Sequence, residues 1–276
     1  MKISLITVCY NSAGTLPTAM ESVLAQRGVD VEYIVIDGGS ADGTADLLHA
    51  WEGMFAANGR ISFRWTSERD RGMYDAINKG IARATGDVVG ILNADDLLES
   101  PETLAHVAEA FSGQKHENGL GGMDGAQARI DATYADVRFV KDDLNTTVRY
   151  YSAKHWKPWM LQWGKMPPHP SVYIRRELFG KHGLYKLGYD IAADYELLIR
   201  YLRTAKLNAR YLNESLVRMR LGGKSTRGWR SNLKLNQEIV RGNRENGYFC
   251  CLPMLVPKYA FKVFEFILPR LGIGRR

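Results

Sequence analysis

Apolar and polar positions alternate in blocks over the first hundred residues. Residues 3–9, 31–37, 61–65 and 88–92 are short, β-branched and almost continuously apolar, the pattern of strands buried on both faces. Between them, Leu16, Met20, Val23 and Leu24 fall at helical spacing, as do Leu47, Leu48 and Trp51, and then Ala76, Ile77, Gly80 and Ile81. Loops of small polar residues precede the first two helices: Asn11 and Ser12 with Gly14, and Asp42, Gly43 and Thr44. Strand and helix in turn predict a doubly wound α/β sheet, whose ligands sit beyond the carboxyl ends of the strands.

After residue 100 the pattern changes. A glycine-rich stretch covers 119–125, and segments 129–134, 137–140 and 147–151 read as short antiparallel strands. Pro167, Pro168 and Pro170 come before a helix that starts near Asp194, with Leu197, Leu198, Tyr201 and Leu202 on one face; a further helix is predicted from Trp229 to about Arg244. Trp156, Trp159 and Trp163 recur at spacings of three and four among Lys154, Lys157 and Lys165, which would put them on one face of a short helix. Such rings suit core packing, sugar stacking or a membrane edge. Residues 252–276 are apolar, aromatic and basic at once. Pro257 and Pro269 bracket roughly 17 Å of helix there, against about 30 Å of bilayer core, so the segment fits a membrane interface rather than a span.

Composition narrows the picture. With 45% hydrophobic and 24% charged residues in 276, disorder and fibrous repeats are excluded. The net charge of +7 hides an asymmetry: residues 1–200 hold 21 Lys and Arg against 26 Asp and Glu, and residues 201–276 hold 16 against 4. The basic end calls for an anionic partner, whether a phosphate-rich ligand, a membrane surface or nucleic acid. Cys9, Cys250 and Cys251 supply neither a disulfide framework nor zinc spacing, and the apolar N-terminal run is too short for a signal peptide. The expectation is a cytoplasmic protein.

Acidic residues end the predicted strands: Asp37 closes the second, and Asn93-Ala94-Asp95-Asp96 follows the fourth. Carboxylates at buried strand ends are costly unless something binds them. Paired there, they suit a hard divalent cation, Mg2+ or Mn2+, which in turn neutralises a diphosphate. The alternative is that Asp95 or Asp96 caps a helix starting near Pro101.

Four strings in one order then resemble the inverting glycosyltransferases of family 2, over about residues 1–225. Ser4-Leu5-Ile6-Thr7-Val8-Cys9-Tyr10-Asn11 is similar to the family's first strand, and Ile36-Asp37-Gly38-Gly39-Ser40-Ala41-Asp42-Gly43-Thr44 to its base-binding aspartate and following turn. Asp70-Arg71-Gly72-Met73-Tyr74-Asp75-Ala76-Ile77-Asn78-Lys79-Gly80 resembles a segment of the bacterial surface-polysaccharide branch. Asn93 to Asp96 occupies the place of the family's DxD metal motif, with Asn in its first position.

The resemblance implies a GT-A fold, an α/β architecture with a mainly parallel central sheet and helices on both faces, followed by a C-terminal helical, membrane-associating segment. The implied division is 1–225 for the transferase domain, with a nucleotide-sugar half at 1–100 and an acceptor half at 101–225, and 226–276 for the basic, aromatic end. It also implies a nucleotide-diphospho-sugar donor, a UDP-sugar foremost, contacted by Thr7, Tyr10, Asp37, Arg71, Asp75, Asn93 and Asp95. The Mn2+ or Mg2+ falls to Asp95, with Asp96 as helper. Ala193-Asp194-Tyr195-Glu196-Leu197-Leu198-Ile199-Arg200 resembles the segment whose aspartate is the catalytic base, here Asp194, although the family's preceding Glu is Ala193.

His169, Glu196 and Lys224 are candidates for acceptor or diphosphate contacts, His169 equally for a purely structural role, and Lys224 for a plain turn. The expected acceptor is a glycan or a polyprenyl-diphosphate-linked chain, met at the inner face of the cell membrane by the basic end. A non-catalytic nucleotide-sugar-binding scaffold, or a nucleic-acid-binding protein drawn from the basic end alone, are the rival expectations.

Overall fold

The computed structural model describes residues 1–113, 129–221 and 228–259. The expected alternation is present. Strand β1 (Lys2–Cys9) leads through helix α1 (Leu16–Leu24) to β2 (Asp30–Asp37), through α2 (Thr44–Asn58) to β3 (Ile61–Ser67), and through α3 (Met73–Arg83) to β4 (Val88–Ile91). These four strands are parallel in the order β3-β2-β1-β4. The register Cys9↔Asp37 and Asp37↔Ser67 brings three strand ends level on one edge.

Side chains alternate across the sheet with the period of two that strands impose. Ile6, Val8, Ile34 and Ile36 join one core with Ile77 and Ile81 of α3; Leu5, Tyr33 and Val35 join the other with Leu16 and Met20 of α1 and Leu48 and Phe55 of α2. Gly80 lets α3 lie close on β1, since a Cβ there would stand 2.5 Å from Ile6 Cγ2.

The second half extends the same sheet. β5 (Leu97–Leu98), α4 (Thr103–Ser112), β6 (Ala132–Val140), β7 (Thr147–Tyr151), β8 (Tyr173–Arg175), α5 (Glu177–His182), α6 (Ala193–Leu198), β9 (Ala209–Arg220) and α7 (Gly228–Glu245) complete the described strands and α-helices. The order continues β4-β8-β6-β9-β5, with β7 against β6, so the described residues form a nine-stranded mixed sheet.

Three expectations are corrected here. Segments 129–134 and 137–140 are parts of one strand, β6, which runs antiparallel to β7 and β8 but parallel to β9. β9 itself was not foreseen, because Arg210, Glu214, Arg218 and Arg220 interrupt its apolar pattern on a half-exposed strand. The helix from Asp194 is short: α6 passes into a π-helical turn, Ile199–Thr204, although Leu197, Leu198, Tyr201 and Leu202 are all buried as expected.

The three tryptophans do not share a face. Trp156 is buried against Tyr134 and donates its indole N–H to Lys165 O at 3.0 Å. Trp159 and Trp163 lie on a 3-10 turn, Pro158–Trp163, and are 56% and 42% exposed. The predicted C-terminal segment lies largely outside the described residues, which end at Tyr259, and no helix of those residues is long and apolar enough to cross a membrane.

Candidate active site

The level ends of β1, β2 and β3 hold the first cluster. Asp37 is fully buried, and its two oxygens accept from Ser40 N (3.0 Å), the Ser40 hydroxyl and the Ser67 hydroxyl. Gly38 comes next, where a Cβ would stand 2.6 Å from Asp70 Oδ2 and 3.4 Å from the Tyr10 ring, so glycine lets the loops after β1, β2 and β3 meet without displacing Asp70. Asn11 and Asp42 lace the first two loops together: Asn11 Oδ1 accepts from Ala41 N, and Asp42 from Ala13 N and Thr44 N. Tyr10 stands 65% exposed above them, a ring open to stacking. Thr7 lies deeper, fully buried, with its hydroxyl accepting from Tyr33 at 3.1 Å.

Asp70 accepts from Gly72 N at 2.8 Å and so shapes the entry to α3. Asp75 turns back to receive Arg71 N (3.0 Å) and Arg71 Nη2 (3.1 Å). Those bonds hold its carboxyl below the usual range. Asp75 therefore closes the α3 N-terminus and fixes Arg71, whose own side chain is 76% exposed.

After β4 the chain turns through Asn93, Asp95 and Asp96. Asn93 Nδ2 donates to Asp96 Oδ2 at 2.7 Å, and Arg220 of β9 donates to Asp95 O at 3.1 Å and to Thr18 Oγ1 at 3.0 Å. Asp96 is buried, and burial followed by the charge of Asp95 pushes its carboxyl up to about 8. Among the described residues no group of three or more His, Cys, Asp or Glu is placed to hold a metal by itself, and no hydrogen bond or ion pair engages the Asp95 carboxylate. Two adjacent carboxyls, one desolvated despite the nearby Arg220 and the other engaged by no described residue, suit a divalent ion whose remaining ligands come from elsewhere, such as a diphosphate.

The second cluster surrounds Asp194 at the start of α6. Its Oδ1 receives Tyr195 N at 2.8 Å and the Tyr74 hydroxyl at 3.2 Å; Tyr74 also reaches Ile191 O at 2.6 Å. No hydrogen bond from another of the described residues meets Oδ2. Burial raises the Asp194 carboxyl, opposed by the nearby His169, whose own imidazole is pushed down by burial. Tyr185 joins them: its hydroxyl lies 2.7 Å from His169 Nε2, its ring stacks on Tyr74 with centroids 5.9 Å apart, and its backbone is held on both sides by the amide of Asn78. Both tyrosines are pushed well above their ordinary range by burial and then by Asp194, so they remain neutral donors.

The loop entering Asp194 is anchored from α7. Glu238, 8% exposed, accepts from Asp190 N, Ile191 N and Ala192 N, each at 2.9 Å. Sequence reasoning missed Tyr74, Asn78, Tyr185 and Glu238 as contributors. Tyr74 and Asn78 lay within a motif already quoted, but nothing in the pattern of the chain connects Glu238 to a loop 46 positions earlier.

Glu196 is not brought to this recess. Two residues after Asp194, it points to the other side of α6, fully buried, with Arg200 donating to both oxygens (3.1 and 2.9 Å) and with Lys186 and Asn246 at 3.0 and 3.1 Å. Burial alone would raise its carboxyl, but those donors hold it below the usual range. Lys224 lies outside the described residues. His169, by contrast, does stand in the Asp194 recess.

The two clusters share α3: Arg71 and Asp75 serve its first turn, and Tyr74 between them reaches Asp194. Comparison with known proteins identifies the family. Residues 4–181 match the glycosyl transferase family 2 domain. An uncharacterized glycosyltransferase of Mycobacterium tuberculosis is 34% identical over 200 residues, 72% of this chain and 68% of the relative. A PGL/p-HBAD biosynthesis glycosyltransferase of Mycobacterium bovis is 33% identical over 210 residues, 76% and 73% of the two chains.

Among solved structures, Staphylococcus aureus TarS 1–349 in complex with UDP-GlcNAc superimposes with a TM-score of 0.61 at 15% identity, over 88% of this chain and 66% of that one. A mannosyltransferase from Pyrobaculum calidifontis in complex with GDP-Man and Mn2+ gives 0.62 at 20% identity, over 88% and 63%. These likenesses show the GT-A fold. The chain belongs to glycosyl transferase family 2.

Proposed function

We propose that this family 2 glycosyltransferase transfers a sugar, with inversion, from a UDP-sugar to the hydroxyl of a glycan or polyprenyl-diphosphate-linked acceptor in the assembly of a bacterial surface polysaccharide or glycolipid. The observation that carries the reading is Asp194: a carboxylate with one oxygen held by Tyr74 and Tyr195 and the other open, in a recess joined through α3 to the acidic ends of the parallel strands. An inverting transfer needs one base on the acceptor side of the anomeric carbon and a separate place for the leaving diphosphate. Asp194 Oδ2 takes the proton of the attacking hydroxyl, and Oδ1 remains fixed.

On the donor side, Asp37 and Tyr10 take the nucleotide base, Asn93 the ribose, and Arg71, held by Asp75, faces the phosphates. Thr7 contributes from beneath, through its strand rather than its enclosed hydroxyl. Asp95, with Asp96 beside it, would hold the Mn2+ or Mg2+, which when bound neutralises charge on the departing diphosphate. His169 lines the acceptor side with Tyr185. One relative's place in PGL/p-HBAD biosynthesis and the neighbours' UDP-GlcNAc, GDP-Man and Mn2+ support this class of donor, cofactor and product.

The test is a screen of UDP-glucose, UDP-galactose, UDP-GlcNAc and UDP-GalNAc for hydrolysis with and without Mn2+. Metal-dependent release of UDP from at least one is expected. Silence with all four, followed by turnover of a GDP- or dTDP-sugar, would overturn the donor assignment; binding without any turnover would favour a scaffold.

A further inference from the structure

The described residues keep a set of large apolar side chains in water. Trp159 and Trp163 are 56% and 42% exposed, Phe249 71%, Leu252 45% and Val256 64%. They belong to two short segments laced side by side. Gln162 donates to Phe249 O at 2.6 Å, the Cys250 thiol approaches Gln162 O at 3.4 Å, and Gly164 sits so close to the second segment that a Cβ would stand 2.8 Å from Lys258 Cδ and 3.1 Å from Leu255 Cδ2. Leu161 and Leu255 take the inward positions and are buried, so the outward rings are the remainder of two turns already anchored to the core.

Charge distinguishes this face from an ordinary exposed apolar patch. Lys154 and Lys157 are exposed just before the tryptophan turn, and Arg241 and Arg244 stand with the single acid Glu245 beside Cys251 and Leu252. Tryptophan and phenylalanine ringed by an excess of cations match an anionic lipid surface, where rings sit at headgroup depth and cations meet the phosphates. The chain also leaves the described residues at Tyr259 on this face, and residues 260–276 hold Phe261, Phe264, Phe266, Ile267 and Leu268 with Lys262, Arg270, Arg275 and Arg276 against the single Glu265.

We propose that the folded body itself docks on an anionic membrane through the Trp159–Trp163 turn and the 249–256 segment, independently of the C-terminal end. The turn is also wired to the site: the Tyr195 hydroxyl, beside Asp194, donates to Leu161 O. Docking would set the Asp194 recess at the level of a lipid-linked acceptor, and this part of the inference rests on the function proposed above.

The experiment uses the full chain and sedimentation with vesicles of phosphatidylglycerol and phosphatidylcholine, beside phosphatidylcholine alone and a duplex DNA control. Partition to the anionic vesicles is expected, with a blue shift of tryptophan fluorescence and partial survival at high salt. The triple variant Trp159→Ser, Trp163→Ser, Phe249→Ser, its fold checked by thermal melting, should bind about tenfold more weakly or worse although its C-terminal end is intact. Equal binding by the variant would give the whole affinity to the end segment and overturn the proposal, as would absence of vesicle binding or preference for DNA. Lipid-borne quenchers reaching the tryptophans of the unaltered chain read the same point should the variant fold poorly. Metal-dependent donor hydrolysis without vesicles should persist in the triple variant; its loss from both proteins would strike the functional reading and leave docking standing.

Discussion

Asp37 at the end of β2 and Asp75 in the first turn of α3 are held by one strategy, and Asp194 at α6 by the opposite one. Asp37 receives two of its bonds from Ser40, three residues on, and Asp75 both of its bonds from Arg71, four residues back. Asp194 sits within a frame whose partners lie as far as 120 positions away: Tyr74 from α3, His169 and Tyr185 from loops, and Glu238 acting through the backbone before it. The donor side combines turns that hold themselves with bonds between neighbouring loops, such as Ser67 on Asp37, 30 positions away. The acceptor side exists only when four separate parts of the chain have packed together, and it keeps one oxygen uncommitted. That contrast matches the chemistry, since binding a nucleotide needs rigid saturated loops, whereas a base needs a desolvated carboxylate with a free lone pair.

The comparison breaks first at Asp194. Asp194→Asn keeps the shape and removes the base, so kcat should fall by about 10²- to 10⁴-fold with UDP affinity unchanged. Equal turnover would remove Asp194 from the chemistry. Asp95→Ala should do the reverse at the other cluster: calorimetry should show the gain in UDP affinity on adding Mn2+ largely abolished, with metal-free binding little altered. If metal dependence survives, the ion is held elsewhere.

How much of this was legible in the sequence follows the same division. β1 to β4 and the helices between them were readable because each is a periodic run bounded by Gly, Asp or Asn, and the motifs carrying Asp37, Asp75 and Asp95 are contiguous strings. Asp194 was found through a resemblance, whereas the groups that make its environment were not. Glu238 reads as one more acid on a solvated helix, and its burial under three backbone N–H groups is a property of how α7 packs on α6. Glu196 was read from the same resemblance, and a separation of two on a helix sends its side chain away from that of Asp194. β9 escaped because a strand with one wet face and four charges carries little of the alternation that marks a buried one.

A smaller effect is expected from Glu238→Gln, which leaves the side chain's length but removes the charge that three N–H groups share. Turnover should drop about tenfold with the KM for donor unchanged, and the melting temperature should fall modestly. Restoring the carboxylate on a shorter arm with Glu238→Asp should not recover turnover, because the Asp190–Ala192 backbone is held at 2.9 Å contacts on both oxygens. If KM for the donor rises instead, Glu238 supports the donor half and the two regions are less separate than drawn.

The smallest change is the most specific. As the base, Asp194 must be ionised, so turnover is lost as pH falls through its pKa, which burial sets above the ordinary carboxylate range. Tyr74 donates to the charged form and lowers that pKa, so Tyr74→Phe should move the acid limb of the kcat profile to higher pH, with the plateau nearly unchanged. Tyr185→Phe lacks a direct bond to Asp194 and should leave the limb close to its original position. Were Tyr74→Phe to lower the plateau with the limb unmoved, its hydroxyl would be serving Ile191 O alone, and Asp194 would owe its pKa to burial and His169 rather than to a donor reaching across from α3.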